Sequence, residues 1–219
     1  MSKSIKELIR EEYIKCAKDP IYFFKKYCYI QHPKRGKILF DLYQFQERVL
    51  NEFNDHRYNV ILKSRQLGIS TLSAGYSLWM MLFQEDKNIL VIATKQEIAK
   101  NLVTKVRYMH DSLPSWLRGE TVEDNKLSLR LGNGSQIKAT SASGDAGRSE
   151  ALSMLIIDEA AFIKGIDEIW AAAQSTLSTG GKAIVLSTPN GVGNFFHKTW
   201  LKGENEDGWN PIKLHWTVH

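Results

Sequence analysis

Leu62-Lys63-Ser64-Arg65-Gln66-Leu67-Gly68-Ile69-Ser70-Thr71 is the stretch whose reading decides the fold. Before it, Tyr58-Asn59-Val60-Ile61-Leu62 is short, apolar and β-prone, and predicts a strand. After it, Leu72-Ser73-Ala74-Gly75-Tyr76-Ser77-Leu78-Trp79-Met80-Met81-Leu82-Phe83 predicts a buried helix. A tight loop between a strand and a helix gathers backbone N–H groups at a helix N-terminus, where they can cradle phosphate. The loop departs from the G-x-x-x-x-G-K-[S/T] pattern. Gly68 and Ser70 are in place, but Ile69 stands where the lysine belongs. Taken alone the loop is a weak signal, so the rest of the chain has to carry the reading.

Upstream, Asp41-Leu42-Tyr43-Gln44-Phe45-Gln46-Glu47-Arg48-Val49-Leu50 leads into a helix just ahead of the loop. A glutamine there can offer its donor and acceptor to the N6/N7 edge of adenine, and Tyr43 or Phe45 can stack on the base. Nearer the N-terminus, Ser4 with Glu7 has capping-box spacing and starts a first helix ending near Lys18. Asp19-Pro20 starts a second. The basic stretch His32-Pro33-Lys34-Arg35-Gly36-Lys37 predicts a solvated loop.

Downstream, Asn88-Ile89-Leu90-Val91-Ile92-Ala93 is a continuous apolar run, as expected of a strand buried on both faces of a parallel sheet. Thr94 with Glu97 suggests a capping box for an amphipathic helix carrying Ile98, Leu102, Val103, Val106 and Met109. Two alternating segments around Gly132-Asn133-Gly134 predict a hairpin at or near the sheet edge. Then Met154-Leu155-Ile156-Ile157 runs into Asp158-Glu159. Open α/β sheets place ligands at strand C-termini. Two adjacent carboxylates there are costly unless a metal or a proton-transfer task uses them. A further strand, 183–188, ends in Pro189-Asn190-Gly191, and Ile212-Lys213-Leu214-His215-Trp216 alternates like a last strand. Strands alternating with helices predict an α/β fold with a mostly parallel, helix-flanked sheet.

The 219 residues suit one domain or one domain plus a small appendage. A net charge of +5 permits contact with nucleic acid without demanding it. Cys16 and Cys28 lack metal-site spacing and are expected to be reduced and structural. No apolar run reaches the roughly 20 residues of a membrane span, and no signal-peptide pattern opens the chain.

Ser64-Arg65-Gln66-Leu67-Gly68, Ile157-Asp158-Glu159-Ala160-Ala161-Phe162 and Ser187-Thr188-Pro189-Asn190-Gly191, in that order, resemble the T4-like large terminase subunits of tailed bacteriophages, in their N-terminal ATPase domain. The three together are highly specific, and the likeness runs from about Asp41 to the C-terminus. It implies a P-loop NTPase of the additional-strand, catalytic-glutamate type that hydrolyses ATP with Mg²⁺ and drives double-stranded DNA into a capsid. Residues 1–40 would be a helical appendage and 41–219 the ATPase core. The C-terminal nuclease domain of the family has no place in this length.

By the same resemblance, Gln46 matches the adenine-contacting glutamine. Ser64, Arg65, Gln66, Leu67, Gly68, Ile69, Ser70 and Thr71 match the Walker A loop and its edge. Ser70 and Asp158 would hold Mg²⁺, with Thr71 the second choice for the hydroxyl. Glu159 would polarise the attacking water. Ser187, Thr188 and Asn190 fall on the coupling motif, and Arg148 is a candidate arginine finger. The implied partners are DNA, the portal protein, the small terminase subunit and further copies of the chain in a ring, on the procapsid in the host cytoplasm, with no membrane. Ile69 leaves the phosphates short of a cation, and Lys63 or Arg65 at the front of the loop would supply it, as in terminases with a displaced lysine. The alternatives are a superfamily 2 helicase-like motor core and a catalytically inactive nucleotide- or DNA-binding module.

Overall fold

The computed structural model describes residues 3–142 and 151–218. Two helices open the chain, α1 (Ile5–Lys18) and α2 (Pro20–Tyr27). Both caps behave as their residues dictate. The Ser4 and Glu7 side chains bond each other's backbone N–H groups, and Asp19 accepts from the N–H of Ile21. Glu12 of α1 accepts from Tyr22, Lys26 and Tyr27 of α2, which locks the two helices together.

The basic stretch is not a free loop. It forms the turn of a hairpin between β1 (Tyr29–His32) and β2 (Gly36–Leu39). His32 Nδ1 accepts from the N–H groups of Lys34 and Arg35, and Gly36 supplies the left-handed conformation that closes the turn.

The main sheet has eight strands. In spatial order they are β10 (Asn210–Leu214), β3 (Tyr58–Lys63), β9 (Lys182–Ser187), β8 (Met154–Asp158), β4 (Asn88–Ala93), β7 (Gln136–Ser141), β6 (Ser128–Leu131) and β5 (Thr121–Asn125). The first six are mutually parallel, and the last two are added by antiparallel pairings. The expected hairpin is β6–β7, but it is not the last pair, because β5 adds an edge strand beyond it. All five residues of β5 are exposed, so no apolar alternation announced it.

The sheet is covered on both faces. One face carries α3 (Gln44–Asp55), α4 (Ile69–Phe83) and α5 (Gln96–Asp111), together with α1 and α2. The other carries α6 (Ile166–Thr176) and α7 (Phe195–Glu204). Alternation along β8 sends Met154 and Ile156 to the first core and Leu155 and Ile157 to the second. Helix α5 begins one residue later than the expected cap. Lys95 sits at its N-cap without a side-chain bond, so Thr94 does not close a capping box.

Twelve residues of α4 are buried, which is why its sequence is apolar on every side. Its buried serines are satisfied within the helix: Ser73 Oγ donates to the Ile69 carbonyl and Ser77 Oγ to that of Ser73. Gly75 of α4 faces Phe24 of α2. A Cβ there would lie 2.4 Å from Cζ of Phe24, a fully buried ring packed against Phe23 and Phe40. Alanine would favour the helix by about 1 kcal/mol, but overpacking a rigid core costs about 1–3 kcal/mol. Gly75→Ala is therefore expected to lower the melting temperature by up to roughly 8 °C. An unchanged or raised midpoint in a thermal melt would show that the Phe24 ring yields.

Candidate nucleotide site

The parallel strands end together. Leu62 is level with Ser187, Leu186 with Asp158, and Asp158 with Ala93. The loop 64–71, the two carboxylates Asp158 and Glu159, and the 187–191 segment therefore meet at one edge of the sheet.

The loop is shaped by two left-handed residues, Gln66 at φ 63° and Gly68 at φ 73°. Gly68 has a second constraint, since a Cβ on it would lie 2.8 Å from Nε2 of Gln46. The N–H groups of Ile69, Ser70 and Thr71 open the first turn of α4 and have no carbonyl partner within it. Open N–H groups at a helix N-terminus are the arrangement that the strand–loop–helix pattern led one to expect. The Ser64 N–H is committed elsewhere, donating to the Leu214 carbonyl at 3.0 Å. Ile69 points into the core, at 2% exposure, and Leu67 is buried with it.

Ser70 reaches across to β8. Its Oγ donates to Oδ2 of Asp158 at 2.7 Å, although 88 residues separate them. Asp158 is buried, and its Oδ1 accepts the N–H of Glu159 at 2.9 Å. Glu159 turns the chain out of the strand at φ 58°. A left-handed backbone is costly for a glutamate, and such residues cluster at functional sites. The turn is held from the neighbouring strand. Ser187 Oγ accepts the N–H of Ala161 at 3.1 Å, and Asn190 Nδ2 donates to the Ala161 carbonyl at 3.0 Å. Thr188 lies between them, half-buried, its carbonyl accepting from Ser187 Oγ. Ser187 and Asn190 thus grip a residue two positions from Glu159.

Ser70 and Asp158 offer hard oxygen donors, and among the described residues no cluster of three or more His, Cys, Asp or Glu side chains is placed to cage a metal. Two protein oxygens suit Mg²⁺, which keeps several waters and is completed by substrate phosphates.

Lys63 closes β3, and strand alternation sets it on the face of Ile61, where α4 and Asp158 also lie. Arg65 is exposed at the loop tip. Gln46 is placed differently from the free amide that adenine contact would require. It is 2% exposed, its Oε1 accepts the N–H of Tyr43, and its Nε2 donates to the Leu67 carbonyl at 3.0 Å. In this structure it braces the loop. Phe45 is buried, while Tyr43 is exposed and stacked on it, with ring centroids 5.7 Å apart. Arg148 lies outside the described residues.

Beside the loop is a cleft of about 460 Å³. Tyr43, Gln46 and Gly68 line one side, and Ile30, His32 and Ile38 of the β1–β2 hairpin line the other. The hairpin residues were missed from sequence, because nothing in a four-residue strand announces where it will dock.

Residues 60–218 match the family described as terminase large subunit, T4likevirus-type, N-terminal. The chain belongs to that family. Solved structures agree in fold. The ATPase domain of the Thermus phage P74-26 large terminase is 21% identical with a TM-score of 0.64, over 81% of this chain and 83% of that one. The HK97 bacteriophage large terminase is 20% identical with a TM-score of 0.72, over 91% of this terminase chain and 43% of that one. A large terminase from a thermophilic bacteriophage, solved in complex with ATP-gamma-S, is 16% identical with a TM-score of 0.63, over 81% and 46%. The chain therefore spans most of the P74-26 ATPase domain and less than half of the other two terminases.

Proposed function

We propose that this terminase chain is the ATPase motor unit of a DNA-packaging machine, with ATP and Mg²⁺ bound at the strand ends described above. The observation that carries the reading is the 2.7 Å bond from Ser70 to Asp158. It joins the start of the phosphate-loop helix to the strand that delivers Glu159.

In this reading the N–H groups at the head of α4 hold the phosphates, and Ser70 and Asp158 hold the metal. Mg²⁺, when bound, supplies positive charge to the phosphate oxygens. Lys63 adds charge from the end of β3, with Arg65 assisting. Glu159 accepts a proton from the water that attacks the γ-phosphate, and its backbone turn keeps the carboxylate aimed at that water. Ser187 and Asn190 feel the change when the γ-phosphate leaves, because their bonds to Ala161 are bonds to the Glu159 turn, and Thr188 follows through the bond its carbonyl accepts from Ser187. Gln46 holds the loop through Leu67, and the cleft between Tyr43 and the β1–β2 hairpin takes the base. The ATP-gamma-S complex of the thermophilic phage terminase supports the choice of ligand.

Residues 41–219 would be the ATPase core and 1–40 its appendage, which is the helix pair α1–α2 followed by the β1–β2 hairpin and so is not wholly helical as expected. Double-stranded DNA, the portal protein, the small terminase subunit and neighbouring copies of the chain would be the partners, on a procapsid in the host cytoplasm. Arg148 rests on the sequence resemblance alone, as an arginine finger. No helix among the described residues is long and apolar enough to cross a membrane.

Titration of the chain with ATP tests the central claim. Binding in millimolar Mg²⁺ is expected to be about tenfold or more tighter than in EDTA, since one good metal–phosphate contact is worth upward of about 1.4 kcal/mol. Equal affinity in both buffers would remove the metal from the site. No binding in either would overturn the reading.

A further inference from the structure

Lys105 has no part in the site as described so far. It lies in α5, between Leu102 and Met109 of the buried stripe, where the helix pattern calls for an apolar residue. Its side chain is half-buried and makes no hydrogen bond or ion pair with any described residue. An ammonium drawn out of water without a partner costs free energy, so the position calls for a negative charge that no described residue brings into contact.

The surroundings say where that charge would be. Lys105 lines a cavity of about 210 Å³ with Ile30 and Gln31 of β1, Thr71 of α4 and Tyr108 of α5. Thr71 is the last residue of the phosphate loop and follows Ser70 directly. The cavity is on the face of the sheet that also bears Lys63 and Asp158, by the alternation of β3 and β8. Burial holds the Lys105 ammonium below the usual lysine range, Asp158 pulls it back up, and Lys63 pushes it further down. Lys105 therefore lies within the electrostatic reach of the metal-side carboxylate and of the displaced lysine. In helices long side chains lean toward the N-terminus, which for α5 is the end that follows the C-terminal edge of β4.

We propose that Lys105 is a second cation of the phosphate site, a positioning residue that reaches from α5 through this cavity toward the Thr71 end of the loop and balances triphosphate charge that Ile69 leaves uncompensated. The inference rests on the ATP reading above. Two half-buried lysines, one from β3 and one from α5, then share the task that a single loop lysine performs in G-x-x-x-x-G-K-[S/T] sequences.

The experiment is Mg²⁺–ATP binding by the 219-residue chain and its Lys105→Met and Lys105→Arg variants, each at several salt concentrations, with thermal melts alongside. Lys105→Met is expected to bind about tenfold or more weakly and to show a shallower dependence of log Kd on log salt. Lys105→Arg, which keeps the charge, is expected to stay within about threefold of the unsubstituted chain. Should Lys105→Met melt early, Lys105→Gln provides the same loss of charge with a polar tip. Wild-type affinity and salt slope in the neutral variants would overturn the proposal while leaving the ATP reading intact. So would a Lys105→Arg variant as weak as Lys105→Met, since that outcome makes the residue a packing element. Failure of the unsubstituted chain to bind ATP would instead sink the ATP reading, and this inference with it.

Discussion

Glu159→Gln is expected to bind Mg²⁺–ATP with the affinity of the unsubstituted chain and to lose hydrolysis by about 100-fold or more, the usual scale for removal of a general base. The substitution keeps side-chain length and the left-handed backbone, whose cost at φ 58° is alike for Glu and Gln. It also keeps the N–H of residue 159 on Asp158 Oδ1, so the carboxylate opposite Ser70 stays in place. Only the ability to take a proton is removed. The measurement is single-turnover hydrolysis at saturating ATP, in the assembled motor and with DNA present. Hydrolysis within tenfold of the unsubstituted chain would reassign the base. A loss of binding would mean that the residue 159 turn, and not its carboxylate, is what the substitution damaged.

That separation is possible because the site is built in layers, and the layers were unequally legible in the sequence. The loop, the carboxylate pair and the coupling segment each follow an apolar strand, and apolar runs bounded by small or charged residues are the clearest pattern a parallel sheet leaves in a sequence. The meeting of Ser70 with Asp158 follows from strand order, which the alternation of strands and helices constrains. What supports those residues was less legible. Gln46 has the composition of an adenine reader, yet it is turned inward, because the buried carbonyl of Leu67 needs a donor and the N–H of Tyr43 at the helix cap needs an acceptor. The β1–β2 hairpin is short and polar, so its turn looked like a solvated loop. Strand β5 is exposed throughout and is recruited by its neighbour's edge rather than by burial. Lys105 did leave a mark, a charge inside an apolar stripe, but a stripe tolerates one flanking lysine whose stem packs while its head reaches water. Its meaning depends on what lies opposite, and that is tertiary information.

The other large effect is expected at Lys63. Ile69 cannot be viewed as a lysine position awaiting repair. Its side chain is packed in the core with Leu67 and Leu72, and a cation there would be buried with no partner. The charge has to arrive from outside the helix, and Lys63 is the nearest cation in sequence that faces the right side of the sheet. Arg65 is nearer the loop tip but exposed, and a screened charge in water acts more weakly than a half-buried one. Lys63→Ala is therefore expected to lower the single-turnover hydrolysis rate by about 100-fold, the scale on which one preorganised donor to a developing charge acts. Arg65→Ala should cost about tenfold or less. Because Lys63 also acts on Lys105, the two losses are not expected to add: with Lys63 gone, Lys105 sits in a more negative field and its own removal then matters more. A double-mutant cycle over Lys63→Ala and Lys105→Met, measured at saturating Mg²⁺–ATP, reads that coupling directly. Strict additivity would separate the two lysines. Unimpaired turnover in both Lys63→Ala and Arg65→Ala would mean that the phosphate charge is met from elsewhere, on this chain or on another.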